Sequence, residues 1–224
     1  MKGMERLQTR HPWLHRYLTD LPFRARCGIR LSFGITALYS LYKAALGLWY
    51  RSVWFGAMAG YYLVLGVLRF LLLRQLRSGE RNPLRGWRQF RRCGGLLLVL
   101  TAALGTVSFF AVTGGEAIRY PGHLIYGAAA FTFYNLTMAV VNIQRYRKLK
   151  NPTYNAAKLL CLATGLVSLF FLQLSLLAAF GAGEGWQLPL NIATGTVVLL
   201  LVLGMAVYMM REGTLRLREQ KRNA

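Results

Sequence analysis

The stretch RQLRSGERNPLRGWRQFRRC, residues 74–93, holds seven arginines and one glutamate between two long apolar blocks. The chain as a whole has 28 Lys and Arg against seven Asp and Glu, which gives a net charge of +21. Only 16 % of its residues are charged, compared with roughly 25 % in soluble domains. A nucleic-acid-binding protein this basic would usually spread its cations over a folded surface. Here the cations lie between apolar blocks, which is typical of a membrane protein.

Six apolar blocks follow one another along the chain. Each reaches about 20 residues, the length that a helix rising 1.5 Å per residue needs to cross roughly 30 Å of hydrocarbon. The predicted spans are residues 31–50, 53–73, 94–114, 122–143, 157–180 and 188–210. The sequence therefore predicts an all-α fold, a polytopic transmembrane bundle of six helices that forms one membrane domain over residues 1–224. Because the basic N-terminal region has no apolar core, we expect no cleavable signal peptide.

The basic residues predict the orientation of this bundle. If six helices alternate, the N-terminal segment 1–30, the arginine stretch, the linker before the fifth span and the tail 211–224 all lie on one side, and they hold nearly all of the Lys and Arg. The exceptions are Arg51 and Arg119 on the other side, and Lys43 and Arg69 within spans. Short loops rich in Lys and Arg stay cytoplasmic. We therefore expect three helical hairpins, with both termini cytoplasmic, in the cell membrane.

The arginine stretch is interpreted as a retention signal that contacts anionic phospholipid headgroups, at about 1 kcal/mol per cation. The predicted headgroup contacts are Arg77, Arg81, Arg85, Trp87, Arg88, Arg91 and Arg92. Leu84, Trp87 and Phe90 recur every three residues, and residues 13–21 show a similar amphipathic pattern. Both segments either lie in the headgroup plane or are linkers packed on the bundle.

The acidic residues exclude several classes of activity. The seven carboxylates are Glu5, Asp20, Glu80, Glu116, Glu184, Glu212 and Glu219, and none lies near the centre of a span. Proton relays usually need an intramembrane carboxylate, and metal sites need clusters of carboxylates or histidines. Catalytic motifs and nucleotide-binding loops are missing as well. We expect no enzyme activity, no metal, no cofactor and no nucleic-acid partner.

Polar residues form faces within the spans. In the first span, Ser32, Thr36, Ser40 and Lys43 are spaced four, four and three residues apart and share one side of the helix. The candidate lining residues of a polar cavity are Lys43, Ser40, Thr36, Asn135, Asn142, Thr164, Ser168 and Asn191. Such faces either line a cavity or form close helix–helix contacts through small and hydroxylated residues.

Two cations lie within predicted spans. Lys43 precedes Tyr50 by seven residues, which places it about 10 Å inside the outer end of its helix. It either snorkels into the aromatic belt around it or lines an outward-facing pocket for an anionic or carbonyl-bearing ligand. Arg69 precedes Arg74 by five residues, and its side chain is expected to reach the inner interface.

Two similarities were found in the sequence. The run from Tyr120 to Lys158, the segment LATGLVSLFFLQLSLLAAFG that follows it, and the later NIATG and GMAVYM resemble an uncharacterised family of small six-helix membrane proteins from Gram-positive anaerobic bacteria. That resemblance implies no activity. Within the chain, FGAMA at 55–59 resembles YGAAA at 126–130, and RLSFGITALYSL from Arg30 resembles KLLCLATGLVSL from Lys158. These pairs either reflect a duplication or share composition alone.

The sequence leaves two functions open. The first is a small permease for an organic or anionic solute, based on the polar faces and Lys43. The second is a non-catalytic assembly or regulatory subunit, which acts through lipid contacts and a membrane protein partner or a second copy of itself. A permease is expected to have a water-accessible cavity that reaches Lys43 and Asn135. A scaffold is expected to be packed solidly at that place.

Overall fold

The computed structural model describes residues 21–51, 53–77, 83–113, 124–146, 151–180 and 185–222. Within these ranges 97 % of the residues are helical and no strand occurs. The helices are α1 (Leu21–Trp49), α2 (Val53–Arg77), α3 (Pro83–Thr113), α4 (Leu124–Tyr146), α5 (Pro152–Phe180) and α6 (Gln187–Arg222). The predicted all-α bundle of six helices is confirmed.

Four helices of the described part of the chain, α1, α2, α5 and α6, are long and apolar enough to cross a membrane. This is the character of a membrane-embedded protein. That α3 and α4 also cross stays a prediction. With 36 residues, α6 is about 54 Å long, well beyond the roughly 30 Å of hydrocarbon. Its last turns therefore continue through the predicted tail as helix.

Local sequence explains several helix boundaries. Both α3 and α5 begin at a proline, which suits the first helical position because its missing N–H needs no partner there. The side-chain oxygen of Asn151 accepts a 2.9 Å bond from the N–H of Thr153 and caps the start of α5. Arg51 has a φ of 47°, in the left-handed region that suits a tight connection. The first hairpin therefore turns within a few residues.

The helices pack as antiparallel pairs, and two of the three pairs differ from the predicted hairpins. As predicted, α1 packs on α2, where a Cβ at Gly47 would lie 3.0 Å from the backbone N of Gly56. The main neighbour of α3 is α6, and that of α4 is α5. Because the predicted outer loops are short, the sequence favours pairing between consecutive helices. Instead, α3 packs closely on α6 at Gly94, where a Cβ would meet Met209 and Ala206.

The packing gathers the arginine-rich helix ends at one end of the bundle, which we call the basic end. There a Cβ at Gly86 of α3 would touch Pro152 of α5, and one at Gly213 of α6 would touch Arg91 of α3. The C-terminal parts of α2 and α6 and the first turns of α3 and α5 thus lie together.

The predicted interfacial segment around Trp87 belongs to α3. Phe90 is 1 % exposed and belongs to the main apolar core, so the alternative in which this segment packs on the bundle fits the structure. The same core includes Leu65 and Leu72 of α2 and Leu160 of α5. The other amphipathic segment, residues 13–21, lies almost entirely outside the described residues.

Candidate functional site

Arg69 of α2 lies inside the bundle, with 2 % of its surface exposed. Its Nη1 donates to the carbonyl of Ser32 at 3.0 Å and to the hydroxyl of Thr36, both in α1. Its Nη2 donates to the hydroxyl of Thr164 in α5 at 2.9 Å. One guanidinium therefore connects three helices.

The expectation that Arg69 reaches the inner interface is wrong. In a helix the Cα–Cβ bond tilts toward the N-terminus, and the N-terminus of α2 lies at the end opposite to the basic end. The side chain therefore leans away from the interface and into the bundle. The five-residue distance from Arg69 to Arg74 is short enough for the side chain to reach the interface. The tilt of the Cα–Cβ bond, however, directs the side chain the other way.

The partners of Arg69 are all neutral. Arginine stays protonated in proteins, so its positive charge persists although it is buried. In the described ranges the carboxylates are those of Glu212 and Glu219, and both pair with Arg216 of α6, at 2.8 and 3.3 Å. The charge of Arg69 is thus solvated by a carbonyl and two hydroxyls rather than by a described carboxylate.

Four polar groups at or near Arg69 form no hydrogen bond of ordinary geometry. These are its own Nε–H and the hydroxyls of Ser32, Tyr61 and Tyr134. Tyr61 and Tyr134 lie within electrostatic reach of Arg69. The hydroxyls of Tyr134 and Ser32 lie close enough for one to donate weakly to the other, which leaves the Arg69 Nε–H, the Tyr61 hydroxyl and one of these two hydroxyls as unused donors. Buried polar groups are nearly always satisfied, so a cluster of unsatisfied donors indicates a site for a missing acceptor. We call these four residues the donor cluster.

Lys43 does not snorkel. It is 0 % exposed, and its Nζ lies 5.3 Å from the ring centre of Tyr39 and 5.1 Å from that of Phe55. These distances are typical of cation–π contacts. Since α1 runs away from the basic end, its side chains tilt back toward the middle of the bundle. Lys43 and Arg69 therefore lean toward each other from opposite directions.

An aromatic layer stands between the two cations. Tyr39, three residues after Thr36 and four before Lys43, stacks on Phe131 of α4 with ring centres 3.6 Å apart. Tyr62 of α2 packs edge-on against both rings, at 5.1 and 5.2 Å. The layer separates the surroundings of Lys43 from the donor cluster in this conformation.

The other predicted cavity residues do not meet at one place. Thr36 and Thr164 meet at Arg69. Asn142 of α4 donates to the Cys161 sulfur of α5 at 3.4 Å, and its Oδ1 has no partner.

Ser40, Asn135 and Ser168 instead bond to backbone carbonyls, those of Ala59, Phe131 and Thr164 respectively. All three are buried. The bond of Ser40 joins α1 to α2 and fits close helix packing, one of the two alternatives that the sequence leaves open. The bonds of Asn135 and Ser168 go to the residue four positions earlier in the same helix. Asn191 lies apart on α6, with its Oδ1 unpartnered.

The predicted headgroup residues lie at the basic end where they are described. Arg85, Arg88 and Arg92 of α3 join Arg74 of α2 around a cleft of about 530 Å³, which is also lined by Leu71, Gln75 and Gln89. We call it the arginine cleft. Trp87 packs on Phe90 and under the guanidinium of Arg216, at 5.9 Å.

Arg88 and Arg91 line a second cleft of about 440 Å³ with Thr214, Leu217 and Arg218 of α6. The side chain of Arg77 and all of Arg81 lie outside the described residues. The described residues contain no group of three or more His, Cys, Asp or Glu that could hold a metal.

Neither a family model nor a curated protein nor a solved structure matches the chain. The resemblance to small membrane proteins of anaerobes stays a prediction. No sequence motif distinguishes Tyr61 and Tyr134. The one indication of a site is Arg69, an arginine within a predicted span that contains no carboxylate.

Proposed function

We propose that the protein is a small membrane permease for an anionic solute, which it binds at Arg69 inside the bundle. The observation that carries the proposal is the burial of the Arg69 guanidinium among neutral partners and unsatisfied donors. A buried charge costs several kcal/mol unless it is compensated, and intramembrane ionisable residues usually mark a substrate path. An anion at Arg69 would supply the compensating charge and would accept hydrogen bonds from the unsatisfied donors.

Lys43 supports the same proposal. It is the other fully buried cation among the described residues, and a solute that follows the polar face of α1 would meet both charges. Passage between them requires the Tyr39–Phe131 stack to open. Lys43 and Asn135 are 0 % and 2 % exposed, which is the solid packing expected of a scaffold, so the permease proposal requires this structure to be an occluded state.

A second candidate is a non-catalytic assembly subunit, and one observation favours it. Ser40, predicted to line a cavity, instead bonds to the carbonyl of Ala59 in α2, while Asn135 and Ser168 are buried and bond within their own helices. In this role Arg69 would fix the arrangement of three helices, and partners would bind through the lipid-facing surface or the arginines.

For the orientation, we place the basic end in the cytoplasm of the cell, because cations near short loops are retained there. Both termini would then be cytoplasmic. A C-terminal alkaline phosphatase fusion should be inactive and a C-terminal green fluorescent protein fusion bright. Active phosphatase would place the C-terminus outside the cytoplasm.

Uptake into proteoliposomes tests the permease. Radiolabelled pyruvate, sulfate and phosphate are offered under a potassium diffusion potential to the wild type, to Arg69→Gln and to Arg211→Gln. Arg211 is an exposed arginine of α6 that lines neither cleft, which makes it a matched control. We expect uptake of at least one anion, lost at least tenfold in Arg69→Gln and retained in Arg211→Gln. If folded wild-type protein takes up none of the three, or if Arg69→Gln transports normally, the permease proposal is wrong.

A further inference from the structure

The hydrogen bonds of Arg69 leave a defined part of its guanidinium unused. Arginine has five N–H donors in a planar fork. Nη1 uses both of its hydrogens, on Ser32 and Thr36, and Nη2 uses one, on Thr164. One hydrogen on Nε and one on Nη2 are left, and the Nε atom is enclosed without a partner.

The rest of the donor cluster adds hydroxyls to these two N–H groups. Tyr61 is 4 % exposed and Ser32 is 1 % exposed, and the Tyr134 hydroxyl oxygen is enclosed as well. The three hydroxyls can all donate, while the acceptors in hydrogen-bonding contact with Arg69 are already engaged with it. The site is therefore rich in donors and carries a single positive charge.

This composition selects among anions. A single guanidinium balances one negative charge, which disfavours sulfate and doubly charged phosphate. A carboxylate has two oxygens in one plane, each with two lone-pair sites, and pairs well with N–H groups of a guanidinium. Its outer lone pairs can accept from the tyrosine hydroxyls. A halide has no such plane and would use the same donors less well.

We infer that the ligand of the donor cluster is a small monocarboxylate, with its carboxylate bound at the Nε and Nη2 hydrogens of Arg69 and at the hydroxyls of Tyr61 and Tyr134. The inference rests on the proposed function, because it names the solute class of the same site. The aromatic layer of Tyr39, Tyr62 and Phe131 lies on the side toward Lys43, where an apolar part of the solute would be accommodated.

The test is ligand-dependent stabilisation of the full-length protein in detergent. Thermal unfolding is followed in sodium acetate, sodium chloride and sodium sulfate at equal ionic strength. A ligand that binds only the folded state raises its stability with concentration. We expect a higher melting temperature in acetate than in either other salt, with saturation as acetate replaces chloride.

Three variants identify the site. Arg69→Lys keeps the charge but lacks the planar fork, so the difference between acetate and chloride should vanish. Tyr61→Phe should weaken acetate binding roughly tenfold, the effect of one hydrogen bond to a charged group, while stability in chloride is unchanged or higher because that hydroxyl has no partner. Arg211→Gln should behave as the wild type.

Equal melting temperatures in acetate and chloride would overturn the inference, as would an acetate effect that persists unchanged in both Arg69→Lys and Tyr61→Phe. The outcomes also separate this inference from the permease. Acetate-specific stabilisation without uptake of pyruvate, sulfate or phosphate retains the carboxylate site and removes the permease. Uptake of sulfate without acetate-specific stabilisation does the reverse.

Discussion

The Nη2 of Arg69 in α2 donates a 2.9 Å hydrogen bond to the hydroxyl of Thr164 in α5, 95 positions later in the chain. Thr36 of α1 also accepts from Arg69, and the two threonines occupy matching positions in the similar segments that start at Arg30 and Lys158. The similarity, however, pairs α1 with α5 and α2 with α4. A tandem duplication would preserve the order of the helices, so shared composition accounts better for the resemblance.

Replacement of Arg69 by Met should leave the unfolding free energy of the ligand-free protein unchanged or raise it by up to about 2 kcal/mol. Removing a buried charge that lacks a counter-charge relieves its desolvation cost, and Thr164 keeps its 2.7 Å bond to the carbonyl of Leu160. Denaturant titration in mixed micelles measures the change. A loss of more than about 2 kcal/mol would mean that Arg69 is a structural clamp and would favour the assembly role.

Gly94 and Gly95 form a matched pair for the contact between α3 and α6. A Cβ at Gly94 would lie 2.7 Å from the Cβ of Met209 and 3.0 Å from the carbonyl of Ala206, whereas one at Gly95 meets nothing within 4 Å. Gly94→Ala should therefore destabilise the bundle by about 1–3 kcal/mol through overpacking. Gly95→Ala should be neutral or stabilising by up to about 1 kcal/mol through helix propensity. Equal effects in thermal unfolding would contradict the antiparallel packing of α3 on α6.

Replacement of Lys43 by Met tests whether this cation belongs to a solute path. The side chain is buried against Tyr39 and Phe55, and Met has a similar length and an apolar thioether that packs well on rings. We expect normal yield of folded protein and at least a tenfold loss of anion uptake in proteoliposomes. Wild-type uptake by this variant would leave Lys43 with a packing role only.

The arginine cleft should retain anionic lipid during purification. Arg74, Arg85, Arg88 and Arg92 line it, without any acidic lining residue, and each cation near an anionic leaflet contributes about 1 kcal/mol. Native mass spectrometry should show phosphatidylglycerol bound in preference to phosphatidylcholine. The double variant Arg85→Gln with Arg92→Gln should reduce the retained fraction several-fold, while Arg211→Gln should not. Retention that is equal in all three proteins would place the lipid elsewhere.

The helical elements were predictable because hydrophobicity dominates their formation. The described part of each apolar block lies within one helix, apart from Tyr50 just after α1, and the described charged segments lie near helix ends. The helix ends were less predictable, since Pro83 and the arginines after it continue into α3 without a break. The pairing of α3 with α6 depends on the shape complementarity of Gly94 and Met209, which hydropathy does not encode.

Part of the candidate site was predictable from spacing. Thr36 and Thr164 were named because hydroxyls recurred on helix faces, and both contact Arg69. The distance of Arg69 from Arg74 along the chain favours the interface, and no spacing or motif distinguishes Tyr61 or Tyr134 from other span residues. Their roles follow from the direction in which side chains leave the helix axis and from which helices are neighbours. Both are three-dimensional properties.

The central claim is that the Arg69 guanidinium binds a carboxylate inside the bundle, and its most direct test is a crystal structure of the protein with 4-bromobenzoate, whose aryl bromide does not alkylate the free cysteines. The account predicts an anomalous bromine peak among α1, α2 and α5, with the carboxylate in contact with the Nε of Arg69. A well-ordered structure would contradict it if bromine lay only at the exposed arginines of the basic end and the groups of the donor cluster were hydrogen-bonded to one another.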